Sequence, residues 1–332
     1  MLAEIIPTRI LGDPMQAVFW NINVDYQVTW AAVLSDFKQI EELTIPYRWK
    51  GKNVELGQWL LDVRERLKTG NPIELCGSPA SWRSNVRQQE QLGQLISLAR
   101  KTHQSVLGLR KWSNNCHYMA RYLNGSYASM ETVECEDLQE WARKLETSNG
   151  LNRISNIIDF AGACFSRIPS AIKQLGMQFS SGKMPNPRRL DYRLLVERLK
   201  NVIHNNDIQL IGQALEAIRQ LDEKPVNARR ELWHDMRRSI DECRRSEGRT
   251  LSETAWHIRN RSRHIGRRVD RRCISTTLLV KGLQFDHVVI LNADEFDDAE
   301  SLYVAMTRGS MSLTVLSGNS TLERPKPHFV QC

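Results

Sequence analysis

Residues 275–286 read Ser-Thr-Thr-Leu-Leu-Val-Lys-Gly-Leu-Gln-Phe-Asp, and an apolar run at 287–292 follows them directly. A stretch with helical character covers 299–308, and another β-rich run covers 312–317. Strands that alternate with helices are typical of an α/β layer built on a parallel sheet. The end of the chain therefore predicts strands at 273–280, 287–292 and 312–317, with a helix at 299–308.

The first part of the chain shows the same alternation. Residues 9–13 predict a short buried strand that runs into a Gly-Asp-Pro turn. Apolar residues at helical spacing predict a helix over 56–67, and a second helix is expected over 85–101. A strand at 105–109 and a helix near 117–123 complete the pattern.

The middle of the chain differs, because helical periodicity dominates from about 151 to 263 and strand candidates disappear. Helices are expected at 192–203, 208–221 and 228–245, and the composition of residues 180–187 predicts a loop. The simplest interpretation is one α/β domain with a parallel sheet, interrupted by an all-helical insertion.

Composition excludes several classes of protein. The 332 residues are 41% hydrophobic and 25% charged, which is ordinary for a globular protein. No run reaches the roughly 18–20 apolar residues that span a bilayer, and the first residues lack the features of a signal peptide. We therefore expect a cytoplasmic protein without a membrane partner. The seven cysteines are scattered without metal-ligand spacing, so we predict that they bind no metal.

The positive charge is concentrated in one stretch. The net charge is +8, and residues 229–272 hold fourteen arginines, seven acidic residues and no lysine. Such a concentration indicates either a surface for a polyanion or a solvated helix face with many ion pairs. The use of arginine alone favours phosphate contact, because its planar fork matches phosphate oxygens.

Two further motifs carry side chains suited to phosphate chemistry. Residues 11–16 read Leu-Gly-Asp-Pro-Met-Gln, where the glycine permits a tight turn and the carboxamide could sense a phosphate oxygen. Residues 43–49 read Leu-Thr-Ile-Pro-Tyr-Arg-Trp, which offers a stacking ring beside a permanent charge. Each motif alone is equally compatible with an ordinary turn or a surface ion pair.

Taken together and in order, these motifs resemble motifs III to VI of superfamily 1 DNA helicases of the UvrD/Rep type. Residues 12–16 resemble the family's GDxxQ, and 47–48 its Tyr-Arg of motif IV. Residues 277–285 resemble motif V, TxHxxKGLEF, and 303–308 resemble motif VI, YVxxTR. The resemblance covers residues 1–110 and 265–318, and it implies a RecA-like fold of the P-loop NTPase type.

The resemblance also implies roles for individual residues. In the family, the equivalents of Gln16, Arg48 and Arg308 reach the γ-phosphate of ATP, and the equivalent of Tyr47 stacks on adenine. Motif V contacts nucleotide and single-stranded DNA, which implies nucleotide contact for Gly282 and DNA contact for Thr277 and Lys281. Two positions depart from the pattern. Leu278 replaces a histidine, and Gln284 replaces the glutamate that binds ribose, so a weakened nucleotide contact is expected there.

Five arginines just before motif V are expected to meet the DNA backbone: Arg259, Arg261, Arg263, Arg267 and Arg268. The alternative is that they form ion pairs with acidic residues of the helical insertion, namely Asp235, Asp241 and Glu242. The first arrangement predicts salt-dependent DNA binding, and the second predicts a contribution to stability only.

The 332 residues contain no GxxxxGK[ST] phosphate loop and no Asp-Glu pair upstream of residue 12. We therefore expect the C-terminal part of a 3′ to 5′ helicase, beginning between motifs II and III and unable to hydrolyse ATP alone. ATP and Mg²⁺ are cofactors of intact family members, and neither is expected to bind tightly here. The expected partners are single-stranded or partly duplex DNA and a separate N-terminal helicase half. A non-enzymatic DNA-binding or regulatory remnant, or a decayed fragment, is the alternative.

The expected domains follow from the resemblance. They are a remnant of the first RecA-like domain at 1–45, the second RecA-like domain at 46–150 and 265–332, and a 2B-like helical insertion at 151–264.

Overall fold

The computed structural model describes residues 8–18, 30–84, 87–132, 134–245, 248–265 and 269–323, without the side chains of Ala31 and of residues 262–265. The helices of these residues are α1 (Trp30–Asp36), α2 (Val54–Lys68), α3 (Gln88–Lys101), α4 (Ser113–Tyr122), α5 (Glu136–Thr147), α6 (Gly150–Cys164), α7 (Ser170–Ser180), α8 (Leu190–His204), α9 (Ile208–Arg219), α10 (Arg230–Cys243), α11 (Leu251–Ile265), α12 (Thr277–Val280) and α13 (Ala299–Met306). Short 3-10 helices lie at Pro14–Gln16 and Ala293–Glu295.

The strands are β1 (Ile73–Glu74), β2 (Ser81–Arg83), β3 (Val106–Leu109), β4 (Ala128–Ser129), β5 (Phe165–Arg167), β6 (Val226–Asn227), β7 (Arg272–Ser275), β8 (Phe285–Ile290), β9 (Gly309–Leu316) and β10 (Thr321–Leu322). In the described part of the chain, a mostly parallel six-stranded sheet has the order β2-β9-β8-β3-β7-β4. The pairs β1–β10 and β5–β6 are antiparallel. The expectation of an α/β fold with a parallel sheet is confirmed.

The chain divides into two compact units. Residues 1–112 and 275–332 form one of them, which we call the α/β unit, and residues 113–274 form the other, which we call the helical unit. The sequence placed the boundaries at 151 and 264 instead. The earlier boundary reflects α4, which packs against β5, and α5, whose buried Leu138, Ala142 and Leu145 belong to the same apolar core as α6 to α10.

The sequence explains why several helices and strands of the α/β unit form where they do. The helix predicted at 56–67 is α2, which buries Leu56, Leu60, Val63 and Leu67 on one face. Asn53 caps its first turn, because the Asn53 side chain accepts a hydrogen bond from the Leu56 amide at 3.0 Å. The predicted strands at 105–109, 287–292 and 312–317 are β3, β8 and β9, and the helix at 299–308 is α13.

Three local expectations are wrong. Residues 9–13 form no strand, and the Leu11 side chain is 88% exposed because no neighbouring strand covers it. The expected strand at 273–280 ends at Ser275, after which α12 forms. The helical unit also contains a small antiparallel pair, β5–β6, whose strands of two and three residues are too short for a periodic signal.

The helical unit is held together by one large apolar cluster. The Phe160 ring stacks on Trp233 with centroids 6.0 Å apart, and Phe165 contacts the same indole at 4.7 Å. Trp233 thereby joins α10 to α6 and β5. No helix among the described residues of either unit combines the length and apolar character needed to cross a membrane.

Candidate functional site

Arg48 projects from a turn whose position is fixed by the neighbouring residue, Trp49. Trp49 is buried, and its Nε1 donates a hydrogen bond to the Gly309 carbonyl at 2.7 Å. Arg48 is thereby held at the end of α13, where its Nη1 donates to the carbonyl oxygen of Thr307. Residues 48 and 307 are far apart in sequence, so the fold itself brings residues 47–48 close to residues 303–308.

The motif VI arginine is almost completely buried. Arg308 is 1% exposed, and its Nε donates to the Val304 carbonyl at 2.9 Å. Its Nη2 donates to Thr307 Oγ1 at 2.9 Å, and its Nη1 donates to the Leu283 carbonyl at 3.3 Å. Within the described residues, neither Arg308 nor Arg48 has a carboxylate at ion-pair distance.

The motif III glutamine lies in the same cluster. The 3-10 helix Pro14–Gln16 packs on α13, and Asp13 caps it by accepting from the Met15 amide at 3.1 Å. Gln16 Nε2 donates to Asp13 Oδ2 at 3.1 Å, so the carboxylate fixes the position of the carboxamide. Gly12 is not in the left-handed conformation, so the glycine is not explained by its backbone angle. A Cβ at Gly12 would lie 2.7 Å from the Trp30 ring, so glycine is needed there for space.

Two residues of this cluster were not singled out by the sequence. Arg64 of α2 forms an ion pair with Asp13, with Nη2 and Oδ1 3.1 Å apart. Tyr303 of α13 is 7% exposed, and burial is the largest cause that raises its pKa to about 12. Tyr303 belongs to the YVxxTR block, which could have indicated it, whereas Arg64 stands in an ordinary amphipathic helix without a local signal.

The electrostatic balance of the cluster is positive. Burial is the main cause that lowers the pKa of Arg308 to about 10, and the neighbouring Arg48 charge lowers it further. Burial also lowers the pKa of Arg48. The Arg308 guanidinium therefore remains protonated at neutral pH. Asp13 is the carboxylate that attracts Arg308, and it is already paired with Arg64. Two cations that share so little counter-charge can bind an anion such as a phosphate, and they do not suit Mg²⁺.

Tyr47 lies beside this cluster on the surface. Its side chain is 68% exposed, and the Lys50 ammonium lies 5.7 Å from the ring centroid. The exposed ring has the character of a stacking platform, because one face of an aromatic ring can cover a nucleobase.

The motif V residues follow β7 and surround α12. Thr277 is 7% exposed at the first turn of α12, whereas Lys281 and Gln284 are exposed. Gly282 has a φ of +84°, a left-handed conformation that favours glycine and turns the chain from α12 into β8. Leu278, at the position of the family's histidine, is 41% exposed. The hydrogen bond from Arg308 to Leu283 connects this turn to motif VI.

The arginines expected on DNA divide into different groups. Arg259 is 7% exposed and pairs with Asp235, with Nη1 and Oδ2 2.8 Å apart, so the expected phosphate contact is wrong for this residue. Arg261 pairs with Glu242 at 2.8 Å but stays exposed at the surface. These are two of the ion pairs that the alternative interpretation expected. The side chains of Arg263, Arg267 and Arg268 lie outside the described residues.

A compact group of polar residues in the helical unit has the composition of a metal site. Ligand atoms of His117, Glu131 and Asp137 lie within 4.8 Å of one another. Arg229 occupies the same place, because its Nη2 contacts Glu131 and lies 2.7 Å from Asp137 Oδ2. Arg229 Nε also donates to Glu131 Oε1 at 2.9 Å. Both carboxylates are therefore already paired with Arg229, and the group is best described as an ion-pair network.

Comparison with known proteins adds no family to this geometry. A scan against models of known protein families gives no match to the chain, and a search of curated protein sequences gives none either.

Proposed function

We propose that the α/β unit is the second RecA-like half of an ATP-dependent, 3′ to 5′ DNA helicase or translocase of the UvrD type. The main support for this proposal is that Gln16, Arg48 and Arg308 lie in one cluster, although they come from widely separated parts of the chain. These are the residues to which the motif resemblance assigns contact with the γ-phosphate. A cytoplasmic location and DNA as partner belong to the same proposal.

In this proposal Arg48 and Arg308 stabilise the negative charge that develops on the phosphate oxygens during transfer. The carbonyl and hydroxyl partners of Arg308 fix its guanidinium without neutralising it. Gln16 presents its carboxamide to the same region while Asp13 and Arg64 hold it in place. Tyr47 offers the exposed ring on which an adenine would stack.

The phosphate loop and the magnesium-binding carboxylates would have to come from outside the 332 residues, since the sequence contains neither motif. ATP supplies the phosphoryl group when it is bound between such a half and this one. The residues of this chain contribute charge stabilisation and positioning, which account for most of catalysis in phosphoryl transfer.

The first test is DNA-stimulated phosphate release. We expect none from this chain alone, and release after addition of a polypeptide that carries the phosphate loop and the Asp-Glu pair. Arg48→Ala and Arg308→Ala should each lower turnover by about 10³-fold, the typical effect of removing an arginine finger. Lysine at either position should rescue poorly, because a point charge does not reproduce the planar fork.

Arg66→Ala is the matched control, because Arg66 is an exposed arginine of α2 paired with Asp62. Its turnover should equal that of the unaltered chain. Unchanged turnover in both Arg48→Ala and Arg308→Ala would reject the motif assignment.

A second test needs no partner. Tripolyphosphate, used as a probe for the phosphate chain, should raise the melting temperature of the unaltered chain through linkage of binding to folding. The shift should disappear in the Arg48→Ala, Arg308→Ala double variant and persist in Arg66→Ala. An equal shift in all three chains would contradict a phosphate site at this cluster.

A further inference from the structure

The helical unit contains a cleft that the motif resemblance does not assign. Its volume is about 600 Å³, and it is lined by Gln139, Arg249, Ser252, Glu253, Trp256 and His257. These residues come from α5, from the connection between α10 and α11, and from the first turns of α11. One arginine, one carboxylate, other hydrogen-bonding groups and a large aromatic ring therefore meet in one open depression.

Trp256 is the main apolar feature of this cleft. The helix α11 directs Leu251, Ala255 and Ile258 into the core, whereas Trp256 points away from it and is 50% exposed. The His257 ring packs against the indole edge-on at a centroid distance of 5.0 Å, which restricts the orientation of the indole. A half-exposed tryptophan held in this way contributes little to the core and offers a flat face to a ligand.

Two exposed arginines lie at or near the cleft. Arg249 lines it, and Arg143 lies one helical turn after Gln139 on α5. The pKa of Glu242 is lowered first by its hydrogen bond to Arg261, and the charges of Arg238 and Arg249 lower it as well. In the part of the chain that the structure describes, Arg143, Arg238 and Arg249 have no ion-pair partner.

The start of α11 is already satisfied and is not itself the binding feature. The Glu146 carboxylate accepts hydrogen bonds from the amides of Leu251 and Ser252 at 3.0 and 3.4 Å. Glu253 and Thr250 exchange hydrogen bonds in a capping box, at 2.9 and 3.2 Å. Phosphate groups would therefore be bound by the arginine side chains and not by the helix amides.

We propose that this cleft binds single-stranded nucleic acid, with a base stacked on Trp256 and the adjoining phosphates bound by Arg249 and Arg143. A single strand fits because its bases are free to stack on a protein ring, whereas the bases of a duplex are stacked on each other. The inference deepens the DNA-binding part of the proposed function. It rests on residues of the helical unit alone and does not require a nucleotide site.

The test measures binding of fluorescein-labelled oligo(dT) to the full chain by fluorescence anisotropy at several salt concentrations. Trp256→Ala should weaken binding roughly five- to 150-fold, the effect of losing one base–aromatic stack. Trp256→Phe should restore much of the affinity. Leu194→Ala is the matched control, because Leu194 is 49% exposed on α8 of the same unit, and it should bind like the unaltered chain.

The phosphate contacts are tested by charge removal. Arg249→Gln should lower the slope of log affinity against log salt by about 0.7, the value for one contact with a single strand. Arg193→Gln, which removes the same charge from an exposed position on α8, should leave the slope unchanged. An unaltered affinity in Trp256→Ala, together with an unaltered melting temperature, would overturn the proposal. Equal affinity for a blunt duplex would overturn it as well.

Failure of this site can be distinguished from failure of the nucleotide proposal. The Arg48→Ala, Arg308→Ala double variant should lose its response to tripolyphosphate and keep its affinity for oligo(dT). Trp256→Ala should show the reverse pattern. If Trp256→Ala lowers the melting temperature, Trp256→Phe and Arg249→Gln still decide, because both keep the packing of α11.

Discussion

The two units of the molecule both bury arginine, but they neutralise it in different ways. In the α/β unit, Arg308 donates to carbonyls and a hydroxyl, and burial lowers its pKa to about 10. In the helical unit, burial also acts to lower the pKa of Arg229, but the hydrogen bonds and charges of Glu131 and Asp137 outweigh it and raise the pKa. Removing a buried arginine that has carboxylate partners leaves those carboxylates uncompensated, whereas a buried arginine that lacks a counter-charge can accept an anion.

The largest expected effect on stability comes from changing Arg229, the buried arginine that has carboxylate partners. Arg229→Met should destabilise the protein by about 3–5 kcal/mol, because Glu131 would remain buried without a counter-charge. The measurement is urea denaturation followed by circular dichroism. The Arg229→Met, Glu131→Met double variant should recover much of the loss, since it removes the two buried charges and leaves only Asp137, whose side chain is half exposed. A loss below about 1 kcal/mol in the single variant would show that the network is not structural.

The corresponding change in the α/β unit should lower the free energy of unfolding much less. Arg308→Met removes a buried cation that has no carboxylate partner, so the lost hydrogen bonds are offset by the desolvation that is avoided. We expect a change in the free energy of unfolding of less than about 1.5 kcal/mol in either direction. A loss as large as that of Arg229→Met would assign Arg308 a structural role and weaken the phosphate proposal.

A smaller effect concerns pH in the helical unit. Burial is the largest cause that lowers the pKa of His117. Glu131 and Asp137 act to raise it, and Arg229 and Arg121 lower it. As the pH falls below about 6.5, the unfolded chain binds a proton that the native His117 does not, so stability decreases. The loss is at most about 1.4 kcal/mol per pH unit for one group.

The measurement for this effect is the melting temperature between about pH 5 and pH 7, which spans the ordinary pKa of histidine. His117→Asn keeps a polar partner for Ser129, whose hydroxyl lies 2.9 Å from His117 Nδ1. The variant should show a shallower decline. His234 and His287 also have lowered pKa values because of burial, and they remain in both chains. An identical decline in both chains would mean that His117 does not contribute.

The smallest expected effect on stability comes from a comparison of two arginines on the same helix. Arg259 and Arg261 stand two residues apart on α11, but Arg259 is buried against Asp235 and Arg261 is exposed against Glu242. Arg261→Gln should change the free energy of unfolding by only about 0.2–1 kcal/mol, as is typical of exposed pairs. Arg259→Gln serves as the positive control and should cost several times more. Similar losses would indicate that burial does not separate these two pairs.

In the α/β unit, the sequence predicted the alternation of strands and helices better than the presence and bounds of each element. Periodicity located α2, and apolar runs located β3, β8 and β9, since each of these elements has one consistent environment along its length. The strand expected at 9–13 was wrong because an apolar run alone does not reveal whether a neighbouring strand exists to pair with it.

For the candidate site, the sequence motifs singled out Gln16, Arg48 and Arg308, which the fold brings into one cluster, but not Arg64, whose ion pair depends on the packing of α2 beside Asp13. Burial of Arg259 could have been predicted. It follows Ala255 by one helical turn and adjoins Ile258, so it continues the apolar stripe of α11. Motif resemblance identifies residues that share a function, whereas their partners depend on tertiary contacts.

The register of β3 against β8 has a consequence for how the protein forms. Val106 pairs with His287, so this ladder joins residues that are 181 positions apart. The helical unit is a continuous segment, and all of it leaves the ribosome before β8 does. The helical unit can therefore fold during synthesis. Until β8 is made, β3 lacks this partner strand and its apolar side chains remain uncovered. Closing that long loop is a slow, non-local step, and it makes the α/β unit the part most exposed to aggregation during folding.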